Sequence, residues 1–300
     1  MTEADRPRPS WHATVASALF VCLWSSAFIA ARAGLPDVSP LYFLTLRFAI
    51  ATASLIAIGC LWPQPWRQLK GRWHHFIVAG ALINAVYLGA AYIAMTRISA
   101  ATMALIGSLH PLLVAVLSGP ILGDRFRPAQ WLGFGFGIAG VALTVGVEAR
   151  EMGLVSGITW AFAGVCGMVI GTLYYSRHCR AAAVLPSNTI QLGSAAVICA
   201  VATAGFETAH AHWTPVALGT LAYLSLAISL GGMALLLFML RIGTAGKVAA
   251  NFYLTPGVTA VLGWLVLGEV VSALAVLGLL LASAGVWLVN RGVNSRQRAS

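Results

Sequence analysis

Apolar residues run in ten stretches of roughly 20 residues, separated by short turns that carry charge, proline or glycine. The stretches cover approximately residues 12–32, 39–62, 73–95, 99–121, 129–147, 153–176, 186–206, 215–240, 246–267 and 271–290. A helix rising 1.5 Å per residue needs about 20 apolar residues to cross a hydrocarbon layer of about 30 Å. The pattern therefore predicts an all-α integral membrane fold with ten transmembrane helices. The plainest break is Pro63-Gln64-Pro65-Trp66-Arg67-Gln68-Leu69-Lys70, because two prolines and two charges cannot continue a buried helix.

Composition excludes the main alternatives. Of 300 residues, 59% are hydrophobic and 9% charged, where soluble domains carry about 25% charged. So few charges cannot cover a water-exposed surface, and a lipid bilayer is the expected solvent. The net charge of +10 does not form a basic stripe or an aromatic-interleaved patch, so no nucleic-acid partner is expected. Fourteen Lys and Arg residues fall on one side of the predicted bilayer and three (Arg32, Arg97, Arg150) on the other, with Arg47 inside the second span. That asymmetry predicts a bacterial inner-membrane protein with both termini cytoplasmic. The five cysteines lie in or beside apolar runs without ligand-like spacing, so neither disulfide, metal nor cofactor is expected. Arg6 and Arg8 precede an apolar run too long for a signal peptide, which reads as a retained first helix.

The chain also repeats itself. A shift of 145 residues lays Ile98–Thr144 on Gly243–Val289 without a gap, matching Pro111 with Pro256, Gly123 with Gly268, Gly133 with Gly278 and Gly140 with Gly285, and setting Asp124 on Glu269. Five helices separate the two units, and five is odd, so the units have opposite orientations in the membrane. The expected organisation is two inverted five-helix repeats, residues 1–148 and 149–300. Such pseudo-symmetry is the architecture of secondary transporters, with the substrate site near the midplane between the halves.

At these residues the chain resembles a known family. Trp24-Ser25-Ser26, Arg47-Phe48, the block from Leu109-His110-Pro111 to Leu122-Gly123-Asp124, and the block from Leu254-Thr255-Pro256 to Leu267-Gly268-Glu269 resemble the EamA type of the drug/metabolite transporter superfamily. The resemblance spans nearly the full length. It implies a ten-helix exporter of small metabolites, amino acids among them. It also implies that Tyr87, His110, Trp160 and Tyr253 occupy positions where aromatic amino-acid exporters of the family carry cavity aromatics. Asp124 stands where the family usually has Glu, a mild departure.

Candidate site residues follow from depth and facing. His110 lies about 16 Å into its span, near the midplane, where an ionisable group is a functional candidate and a hydrogen bond to a facing helix is the alternative. Pro111, and Pro256 after Thr255, should kink or unwind their helices at mid-depth and act as hinges. Lys247, Asn251 and Thr255 recur at i, i+4 and i+8 as one polar stripe, from which Lys247 snorkels to the surface. Asn84 and Tyr87 share a helix face, and Trp24 and Trp160 lie a few turns into the first helix of each half, with interfacial anchoring as the alternative for the tryptophans. The expected substrate-binding set is Trp24, Asn84, Tyr87, His110, Trp160, Asn251, Tyr253 and Thr255. Arg47 reads as structural, paired with carbonyls, a substrate carboxylate or an acid such as Asp37.

Two motifs fail on context. Gly135-Phe136-Gly137-Ile138-Ala139-Gly140 fits G-x-G-x-x-G, but no strand precedes it. Gly133 and Gly137, like Gly167 and Gly171, instead give small-x-x-x-small surfaces suited to close helix packing. No G-x-S-x-G elbow is present, so a membrane-embedded lipid-modifying enzyme, the rival from another class, has no catalytic constellation. The eight acids are terminal or at turns; a proton-coupled exporter of cationic drugs would hold a carboxylate within the membrane. Isolated basic groups also make a poor phosphate site. An amino acid, aromatic or large and neutral, fits best with the family resemblance, and a broad drug exporter is the rival within transport. A monomer is expected, with a dimer left open.

Overall fold

The computed structural model describes residues 11–122, 128–148, 154–179, 182–232, 254–269 and 273–296, together with Leu235. Their regular structure is helical apart from one isolated antiparallel bridge between Val38 and Ala211. In chain order the helices are α1 (Trp11–Gly34), α2 (Pro40–Leu61), α3 (Trp73–Met95), α4 (Ala100–Gly107), α5 (Leu109–Leu122) and α6 (Pro128–Glu148). They continue with α7 (Leu154–His178), α8 (Val184–Phe206), α9 (Pro215–Gly232), α10 (Thr255–Leu267) and α11 (Ala273–Arg296). Among the described residues, six helices are long and apolar enough to cross a membrane: α1, α2, α3, α7, α8 and α9. The other helices carry shorter apolar runs, Ala100–Val114, Trp131–Leu143, Thr255–Leu267 and Val276–Gly285. Large side chains such as Leu132, Val201, Phe206 and Leu265 remain exposed on the outside of the bundle. Water would not tolerate so many, and lipid solvates them without cost.

The starts of the helices are legible in the turns. Ser39-Pro40 and Thr214-Pro215 place proline in the first turn of α2 and α9, where its missing N–H is no loss. Ser99 and Thr214 cap α4 and α9 by accepting from the Thr102 and Ala217 amides. The span expected over 99–121 comes in two pieces, α4 and α5, divided at Ser108. Pro111 explains the division, since its ring opposes the carbonyl four residues earlier, at Gly107. Pro256 sits in the first turn of α10, and the residues before Leu254 lie outside the described ones. Three segments widen to π geometry: Ala81–Val86 in the middle of α3, Tyr223–Gly232 in α9 and Gly263–Leu267 in α10. Gly268, at φ 67°, closes α10 in the left-handed conformation that favours glycine.

Glycines set the closest helix contacts. A Cβ on Gly140 would lie 2.3 Å from the Gly278 carbonyl oxygen, and one on Gly285 would lie 2.4 Å from the Gly133 carbonyl oxygen. Thus α6 and α11 pack antiparallel through a seam that only hydrogen side chains permit. A Cβ on Gly80 would meet the Gln191 carbonyl oxygen at 2.4 Å, bringing α3 onto α8, while Gly164, Gly167 and Gly171 bring α7 onto α3.

The described turns gather at two ends. At one end, Ser39 N donates to the His210 carbonyl, His212 N to the Asp37 carbonyl, and Thr214 Oγ1 to the Asp37 carboxylate. Glu207 accepts from the Leu41 and Tyr42 amides at the positive start of α2. Glu269 accepts from the Ala100 amide at the start of α4 and lies 4.0 Å from Arg32. At the opposite end, an Arg72 guanidinium N–H donates to the His178 carbonyl, and His75 bonds the Tyr174 hydroxyl at 2.7 Å.

Candidate functional site

The helices line a cavity of about 170 Å³. Its walls come from α1 (Trp24, Ala27, Phe28, Ala31), α2 (Arg47, Phe48) and α3 (Ile83, Asn84, Tyr87, Leu88, Ala91, Tyr92, Met95). Met168 of α7, Asn188 and Leu192 of α8, and Ile228 and Ser229 of α9 complete it. The lining is mainly apolar and aromatic with a few polar groups, the usual make-up of a small-molecule site. Two of the three π segments face it, one through Ile83 and Asn84 and the other through Ile228 and Ser229. A π turn widens the helix and loosens the regular backbone ladder, and such turns recur at functional sites.

The charged group in this lining is Arg47. It is 7% exposed, and its Nη1 donates to the Tyr92 hydroxyl at 2.8 Å. Its Nε is buried without a partner. The guanidinium carbon stands 5.9 Å from the Phe48 ring centre. Asp37, the acid named as a possible partner from sequence, is engaged instead by Thr214 at the end of the bundle.

Of the residues expected from sequence, Trp24, Asn84 and Tyr87 come together on this cavity. Trp24 packs against Phe20 with ring centres 5.4 Å apart. Three others are placed elsewhere. Trp160 is 46% exposed and lies outside the buried stripe of α7, formed by Ala161, Val165 and Val169, because the helix turns it outward. His110 bonds Thr172 of α7, Nε2 to Oγ1 at 2.9 Å, and is not among the cavity-lining residues. The Thr172 hydroxyl donates onward to the Met168 carbonyl at 2.7 Å, which makes Nε2–H the donor to Thr172. Thr255 is buried where α10 meets α1, its carbonyl accepting from Ser25 Oγ at 3.2 Å. Asn251, Tyr253 and Lys247 lie outside the described residues, as does Asp124. Pro111 and Pro256 border breaks or starts of helices and do not line the cavity.

Sequence reasoning missed Arg47, Tyr92, Phe28, Met168, Asn188 and Ser229 as lining residues. Arg47 carried a signal, since a charge inside a span must find a partner or a cavity. The others carried none, because aromatic, amide and hydroxyl side chains occur on every face of these helices. Among the described residues no group of three or more His, Cys, Asp or Glu side chains could hold a metal ion.

Known proteins share this design. An uncharacterized transporter of Bacillus subtilis, YvbV, is 24% identical over 97% of this chain and 96% of its own length. Another from the same organism, YdfC, is 23% identical over 95% and 92% respectively. A probable terminal-alkyne amino-acid exporter of Streptantibioticus cattleyicolor is 28% identical over 93% of this chain and 94% of its own. A crystal structure of another protein, 20% identical, matches with a TM-score of 0.64 over 93% of this chain and 97% of that one, which establishes the shared fold. The model of the EamA-like transporter family matches twice, over residues 12–146 and 155–291. Together with the multi-pass helices and the cavity between them, those two matches assign the chain to the EamA-like transporter family.

Proposed function

We propose that this member of the family is a secondary exporter or facilitator of amino acids, with aromatic and large neutral side chains preferred, in a bacterial inner membrane. Ten spans form two inverted halves, residues 1–148 and 149–300, and the substrate moves by alternating access between them. The observation that carries the reading is the cavity, whose aromatic and apolar walls come from both halves: Trp24, Phe28 and Tyr87 from one, Met168, Leu192 and Ile228 from the other. Aromatic walls shield a large side chain, and Asn84, Asn188 and Ser229 offer neutral hydrogen bonds to its polar end. The inverted arrangement has support in the glycine seam. Gly133 aligns with Gly278 and Gly140 with Gly285 across the 145-residue shift, and each meets the other's counterpart: Gly140 lies against Gly278 and Gly133 against Gly285. Such reciprocity is what a pseudo-twofold axis produces. The exporter named among the relatives handles amino acids, which agrees with this substrate class. The drug-exporter alternative has no comparable observation.

Counterflow in liposomes containing the purified protein tests the reading. Vesicles loaded with unlabelled phenylalanine should take up labelled phenylalanine and leucine well above protein-free vesicles. Uptake of hydrophobic cations with no amino-acid uptake would overturn the amino-acid reading in favour of a drug exporter, and turnover of lipid without solute flux would indicate an enzyme.

A further inference from the structure

Arg47 holds a permanent positive charge in the wall of a mainly apolar cavity, and among the described residues no acid pairs with it. A guanidinium has five N–H donors and stays protonated. One donor goes to Tyr92, and Nε is buried without a partner. In the sequence the eight acids fall at the N-terminus or between the apolar stretches. Of those described, Asp37 and Glu207 are engaged at one end of the bundle, and Glu269 reaches Arg32 and Ala100 at the same end. A buried, uncompensated charge is strongly disfavoured unless an anion or ordered water meets it. The Phe48 ring stands 5.9 Å from the guanidinium carbon, and the planar fork of donors matches a flat, two-oxygen anion.

We propose that Arg47 is the substrate's carboxylate anchor, positioned by Tyr92, and that the cavity selects solutes by their carboxylate rather than by their amino group. Among the described residues that line the cavity there is no acid to bind an ammonium. Amides and a hydroxyl, Asn84, Asn188 and Ser229, face that end of the substrate instead. A 2-oxo acid should therefore be accepted beside the amino acid of the same side chain, while the carboxamide and the decarboxylated amine should be refused. The inference rests on the transporter reading above and names the group that the site recognises.

Four probes carrying one side chain separate the possibilities: phenylalanine, phenylpyruvate, phenylalaninamide and phenethylamine, each competing for labelled-phenylalanine counterflow with the full-length protein in liposomes. The expected result is inhibition by the two acids and at least about tenfold weaker inhibition by the amide and the amine. Inhibition by all four alike would overturn the carboxylate anchor and leave the transporter reading standing. Absence of any phenylalanine flux in folded wild-type protein would overturn both. Arg47→Gln should lose the preference for acids, whereas Arg47→Lys should keep a weakened form of it. Because Arg47→Gln could unfold, the probe comparison is made first on the wild-type chain and needs no variant. A carboxylate preference surviving in folded Arg47→Gln would also overturn the assignment.

Discussion

His110 on α5 gives its Nε2–H to Thr172, whose own hydroxyl is held by the Met168 carbonyl. A glutamine amide can donate to the same oxygen, so His110→Gln should keep at least about half of the flux, with a stability loss of no more than about 1 kcal/mol. Its uptake should respond to an imposed pH gradient as the wild type does, in paired liposome assays. A gradient response lost only in the variant would make His110 the proton carrier after all. For this residue a position along the helix can be counted from a turn, but the direction in which it faces cannot. The same holds for Trp160, which points outward. Arg47 shows the converse case: its burial was plain from the sequence, while its partner Tyr92 depends on how α2 and α3 are rotated against each other, and no local pattern encodes that.

Helix α6 offers a controlled comparison between two glycines five residues apart. A Cβ on Gly140 would strike the Gly278 carbonyl oxygen and the Ala282 amide, both backbone atoms, whereas one on Gly135 meets nothing within 4 Å. Gly140→Ala should force α6 and α11 apart and destabilise the protein by about 1–3 kcal/mol. Gly135→Ala should be neutral or stabilising by up to about 1 kcal/mol, alanine being the better helix former. Thermal unfolding in detergent reads both, and equal behaviour would mean that the seam is not close-packed. The small-residue spacing that betrays this contact was visible in the chain, as was the break that Pro111 imposes near Ser108. The π segments were not, since in Ala81–Val86 and Tyr223–Gly232 the few polar residues, Asn84, Ser225 and Ser229, stand among apolar ones and leave no periodicity from which a change of winding could be read.

At the scale of the whole chain, the bias of positive charge predicts that Met1 and Ser300 lie on the same, cytoplasmic side. A compartment-sensitive reporter fused to either end should report cytoplasm in both fusions. A periplasmic C-terminus would require an odd number of spans and would remove the inverted repeat. The structure agrees with the sequence on how the described turns are sorted: those at 35–39, 207–214 and 268–269 meet at one end, and those at 72–75 and 174–178 at the other. The seam between α6 and α11 carries a consequence for how such a chain could arise. A surface in which Gly133 meets Gly285 and Gly140 meets Gly278 is complementary to its own copy. A single five-helix piece inserted into a bilayer in both orientations would already possess it, with no second surface to invent. Joining two such pieces end to end assigns each a fixed orientation, and only then can their basic residues diverge and take opposite sides.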